Sequence, residues 1–124
     1  PSERWPEPHV AICVWAMAGD DKAETERNFL PRAKCRLYRD RGMFIPLETP
    51  ESVEATDLNA AEENRMQTML RDSFVGEGPE TAARIEALGK ELDVDEIAIV
   101  TWAHEKSIRH RSYEILADAL GVAA

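Results

Sequence analysis

The sequence has no apolar run near the roughly 18 to 20 residues that a membrane span needs, and no basic–apolar leader opens it. Cysteine is scarce. Cys13 and Cys35 lie far apart, with no CxxC or Cys/His ligand spacing, so two reduced, buried thiols in a cytoplasmic protein are expected. Cations are in the minority: 15 Lys and Arg against 24 Asp and Glu leave a net charge of −9, a field that repels nucleic-acid phosphates. Internal repeats, low-complexity stretches and linkers are also missing. The chain begins at Pro1 without an initiator methionine, which suggests a piece of a longer protein.

What is present describes one folded domain over residues 1–124, with 44% apolar and 31% charged residues. After a proline-rich lead-in, residues 10–18 (VAICVWAMA) are continuously apolar, the pattern of a strand buried on both faces of a parallel sheet. Gly19-Asp20-Asp21 gives a turn and an N-cap, with Glu24 placed for a capping box. The helix that follows carries Ala23, Leu30, Ala33 and Leu37 on one face and stops at Gly42, and Pro31 predicts a kink or break in it. Thr49-Pro50-Glu51 starts a second helix, whose apolar spacing continues through Leu58, Met66, Met69 and Leu70. Residues 73–78 read as a short extended link. A third helix from Gly78 turns Ile85, Leu88 and Leu92 inward. Residues 96–103 (EIAIVTWA) form a second buried strand, and residues 105–120 a last helix with Ile108, Ile115, Leu116 and Ala119 inward. The order is strand, helix, helix, helix, strand, helix, an α/β arrangement with two parallel strands and a right-handed crossover. Two such strands leave bare edges, so a larger sheet is expected around them.

Several stretches resemble the last third of the bacterial luciferase-like flavin monooxygenases. Phe74-Val75-Gly76 followed by Pro79-Glu80-Thr81 is similar to that family's FVG-S-PET segment, with Glu77-Gly78 in place of the usual single small residue. Residues 95–102 (DEIAIVTW) resemble its final strand, residues 111–117 (RSYEILA) its last helix, and Pro1 through Val10 its approach to an earlier strand. The resemblance implies the C-terminal fragment of a (β/α)8 TIM barrel. It also implies reduced FMN as cofactor, a separate flavin reductase as partner, and a small organic substrate oxidised with O2. A full barrel takes roughly 250 residues, so the fragment alone is expected to be inactive.

Barrel active sites lie at the C-terminal strand ends. That sets Trp15 and Met17 near the mouth from the first strand, and Thr101, Trp102 and His104 from the last. Trp15 or Trp102 would pack against flavin or substrate, with Thr101 and His104 at the pocket rim. The competing reading makes both tryptophans core and His104 a helix cap, and general experience with buried aromatics favours it. Lys106, Arg109, His110 and Arg111 form a basic cluster that reads as a solvated face. His104-Glu105 begins like HExxH, but Ile108 stands where the second ligand belongs. Gly76-x-Gly78 lacks the third glycine of a dinucleotide fingerprint, Thr81 occupying its place. No catalytic acid, base or nucleophile can be named. Two alternatives stand beside the monooxygenase: a deazaflavin-dependent relative of the same barrel, and a non-catalytic α/β interaction module. Bare strand edges favour a homo-oligomer in every case.

Overall fold

The computed structural model describes residues 2–4 and 6–122. Pro1 and Trp5, which belong to the opening stretch of the resemblance, lie outside the described residues. The elements run β1 (Ala11–Gly19), α1 (Lys22–Arg39), α2 (Pro50–Glu54), α3 (Ala60–Asp72), β2 (Phe74–Glu77), α4 (Gly78–Leu92), β3 (Glu96–Val100) and α5 (Lys106–Ala119). Among the described residues no helix is long and apolar enough to cross a membrane.

The sheet is parallel throughout, in the order β2-β1-β3. The two neighbours divide β1 between them. Residues 11–15 pair with β3 and residues 16–19 with β2. Alternation along the strands then sorts the core into two layers. Met17 and Val75 point into one layer, with Phe29, Ala33 and Leu37 of α1 and Met66 and Met69 of α3. Ala16, Ala18, Phe74, Ile97 and Ile99 point the other way, onto Ile85 of α4 and Leu116 of α5. Helices therefore lie on both sides of the sheet.

This corrects the expected fold class. The chain is a small three-layer α/β unit with a three-stranded sheet and five helices, not a two-stranded fragment of a (β/α)8 TIM barrel. In a closed barrel consecutive strands are neighbours and every helix lies outside. Here the first strand is central, the second and third flank it, and α1 and α3 lie on the face opposite α4 and α5. The strand missed was the stretch read as a link. β2 has only four residues, too few for alternation to register, and Val75 and Gly76 at its centre are both buried.

The helices also depart from expectation. α1 runs unbroken through Pro31, which is buried and held within a helix anchored by Phe29, Ala33 and Leu37. The second helix is two, because Asn59 and Glu62 close a capping box that starts α3 afresh. Ala23, Leu92 and Ala119 are exposed rather than inward. Cys13, expected to be buried, is also exposed. Ala11, Cys13 and Ala98, on one sheet face, are exposed, so among the described residues no helix covers the first half of β1 on that side.

Candidate functional site

Ligand sites in open α/β sheets form beyond the C-terminal ends of the strands, and the strand ends here are staggered. Beyond Val100 the chain no longer pairs with β1 as a ladder, and hydroxyls take over. Thr101 Oγ1 donates to the carbonyl of Ala16 at 2.7 Å, and Ser112 Oγ accepts from the amide of Ala18 at 2.9 Å. The two hydroxyls lie 3.4 Å apart, and the phenol oxygen of Tyr113 accepts from the amide of Thr101 at 3.0 Å. Arg111 completes the stitch by a two-pronged hold on Asp20 just past the end of β1. Its guanidinium keeps the Asp20 carboxyl below the ordinary carboxylate range. Arg111, Ser112 and Tyr113 are thus accounted for by tying α5 to the strand ends.

Of the four residues singled out from sequence, Trp15 and Trp102 are brought together. Trp15 is the register partner of Val100, and Trp102 lies two residues further on, so the pleat puts both indoles on the same face. Their ring centroids are 4.6 Å apart at an interplanar angle of 82°, an edge-to-face pair. Thr101 is elsewhere: 2% exposed, it faces the β1 backbone. His104 stands apart too, its Nδ1 2.9 Å from the carbonyl of Leu47, where it pins the connector between α1 and α2.

Sequence reasoning missed the residue that completes the cluster. The Arg32 guanidinium stacks 4.2 Å from the centroid of the Trp15 ring and 5.6 Å from that of Phe29. Burial, reinforced by the neighbouring Arg36, pulls its pKa below the usual guanidinium value, yet it remains a cation at neutral pH. The available signal was the spacing of Arg32, Arg36 and Arg39, which lies along one face of a helix. Trp15, Arg32, Cys35, Arg36, Arg39 and Trp102 line a cleft of about 50 Å³. Burial pushes the Cys35 thiol up, and the Glu48 charge adds to this; its Sγ approaches the carbonyls of Ile45 and Pro46, so it serves as a neutral wall.

A larger cavity, about 180 Å³, lies at the end of β1 between α1 and α5. Its polar lining is already engaged. Asp20 holds Arg111, Asp21 caps α1, Thr25 donates to the Asp21 carbonyl and Asn28 to that of Glu24. Among the described residues no group of three or more His, Cys, Asp or Glu is placed to hold a metal ion. The aromatic–arginine cleft is the better candidate because two of its three cations, Arg32 and Arg39, hold no carboxylate, whereas Arg36 is paired with Asp40.

No family model matches the sequence, and no curated protein matches it. Among solved structures, the crystal structure of apo-MsnO8 superposes on 99% of this chain with a TM-score of 0.79 at 17% identity. The likeness is one of fold, and this chain spans 38% of that one.

Proposed function

We propose that this chain is a segment of a luciferase-like flavin-dependent monooxygenase, in which reduced FMN from a separate reductase and O2 oxidise a small organic substrate. The observation that carries the reading is the Trp15–Trp102–Arg32 cluster at the end of β3. A reduced flavin asks its protein for an apolar aromatic wall and a fixed cation near its electron-rich ring. These three side chains are of that kind. Ligand pockets are usually about 300 Å³ or more, so a cleft of about 50 Å³ holds only a small part of such a ligand. The motif resemblances at residues 74–81, 95–102 and 111–117 support the same family. The flavin, when bound, would supply oxygen activation. The chain's own part is to orient the ring against Trp15 and Trp102, to exclude water with those indoles, and to hold a positive charge at Arg32. Two free thiols support a reducing compartment, the cytoplasm.

The test is an anaerobic titration with chemically reduced FMN, followed by quenching of tryptophan fluorescence. One wall of a site is expected to give a dissociation constant of about 1 mM or tighter, roughly −4 kcal/mol. Trp102→Ala should weaken it several-fold. A reduced deazaflavin titrated in parallel separates the hydride-transfer relatives. No saturable quenching by either cofactor removes the reading. It would leave the interaction module, which the exposed Ala11, Cys13 and Ala98 on one sheet face favour.

A further inference from the structure

Most of the protein's guanidinium groups are spoken for. Arg27, Arg36, Arg41, Arg65, Arg71 and Arg111 each hold a carboxylate, and Arg84 donates to two backbone carbonyls. Arg4, Arg32, Arg39 and Arg109 do not, and of these Arg32 and Arg39 lie together in the aromatic cleft. Among the described residues the Arg32 and Arg39 guanidinium groups make no hydrogen bond or ion pair; Arg32 lies over Trp15 and Phe29, and Arg39 over Phe44. This is unexpected in a chain with 24 acidic residues to 15 basic ones. It is costlier for Arg32, which is half-buried, because a partly desolvated cation without a counter-charge loses free energy on folding. The cleft that Arg32, Arg36 and Arg39 share is lined by three cations and no carboxylate. The aromatic rings beside Arg32 leave its N–H fork without a hydrogen-bond partner, and that fork is the part which recognises planar oxyanions.

We propose that this cleft is an oxyanion subsite. Arg32 and Arg39 take the carboxylate or phosphate of a ligand whose conjugated ring lies against Trp15 and Trp102. At about 50 Å³ the cleft is far below the roughly 300 Å³ of a whole-ligand pocket, so it takes a small headgroup and not a ring. The ring's placement rests on the functional reading above; the anion site itself rests on the two unpaired arginines. Within that reading, the subsite assigns the ligand an acidic group, and the shared chemistry covers a carboxylic-acid substrate and a phosphate ester alike.

The test uses ¹⁵N-labelled protein, read at the indole N–H resonances of Trp15 and Trp102 and at Arg32 Nε. Benzoate, inorganic phosphate and the neutral control benzamide are titrated separately, with FMN and riboflavin alongside. Saturable shifts are expected with benzoate, phosphate or both, weakened about tenfold by Arg32→Met and by Arg39→Gln and diminished by added salt. Arg39 is exposed, so Arg39→Gln keeps the test valid should Arg32→Met unfold. Benzoate alone assigns the subsite to a carboxylate, and phosphate alone to a phosphate ester. Binding of neither, equal binding of benzamide, or anion binding that both variants leave unchanged overturns it. Failure of the flavins with an anion still bound removes the flavin reading and keeps the subsite. Flavin binding without either anion does the reverse.

Discussion

Side-chain hydroxyls extend the sheet where β3 stops. Ser112 is fully buried, and its oxygen is the acceptor for the amide of Ala18, so Ser112→Ala strands a buried donor. That is expected to cost about 1–3 kcal/mol. Thr101→Val strands the carbonyl of Ala16 in the same way. The two hydroxyls are mutual neighbours, so the double variant should cost less than the sum of the singles. Urea unfolding of the four proteins measures this, and losses below about 0.5 kcal/mol for both singles would contradict the role given to the stitch. The same residues show what a linear reading can miss. Thr101 looks like a rim residue because it stands near the C-terminal end of the stretch expected as the last strand, and the RSYEILA stretch looks like a family mark. Their chemistry is set by an edge of β1 that lacks a partner, and that depends on where β3 ends in space. The pairing of Trp15 with Trp102 was hidden for a related reason, since it follows from strand register.

At the scale of elements, two packing contacts decide how the helices sit. α4 begins at Gly78 hard against α5: a Cβ there would stand 2.5 Å from Ile115 Cγ2, so Gly78→Ala makes the Ile115 side chain or the helix pair shift. Destabilisation of roughly 1–3 kcal/mol is expected. In an Ile115→Ala background the added penalty should largely vanish, because the obstructing methyl is gone. A double-mutant cycle by thermal unfolding checks this, and additive penalties would sink the close-approach explanation. The second contact holds the connector between α1 and α2. Lys34 is buried and grips Glu48 at 2.6 Å and the Thr56 hydroxyl at 2.7 Å. The hydrogen bond from Lys34, with a second from Ser52, lowers the Glu48 carboxyl below its ordinary value of 4.5. A depressed carboxyl stabilises the fold above its unfolded pKa, and that contribution is lost as pH falls through the folded one. Wild type should therefore exceed Glu48→Gln in stability above about pH 4.5 and converge on it below; a gap independent of pH would refute the ion pair's part. Long helices were readable from their apolar spacing and caps, whereas the α2–α3 break hung on one capping box. β2 was not readable, being four residues long and recognisable only by its partner.

For the whole molecule, the sequence-based reading went furthest wrong in the order of strands. Two apolar segments and a crossover are compatible with a barrel wall or an open sheet. Only long-range pairing chooses, and here it sets β1 in the centre with helices on both sides. The choice has a consequence in solution. Half of one sheet face, with Cys13 at its middle, is exposed among the described residues, while Cys35 sits half-buried with its thiol pushed up. Thiolate is the reactive form, so a disulfide reagent at neutral pH should modify Cys13 first and Cys35 more slowly by about tenfold or more. Cys13→Ser should remove the fast phase and leave the slow one. If the chain forms a homo-oligomer through this bare face, as an apolar patch of this sort invites, the fast phase must slow as protein concentration rises and sedimentation shows assembly. Should assembly occur with Cys13 still fully reactive, the copies meet elsewhere, and the outer edges of β2 and β3 become the next surfaces to examine. Equal reactivity of the two thiols in the monomer would instead mean that the face is covered.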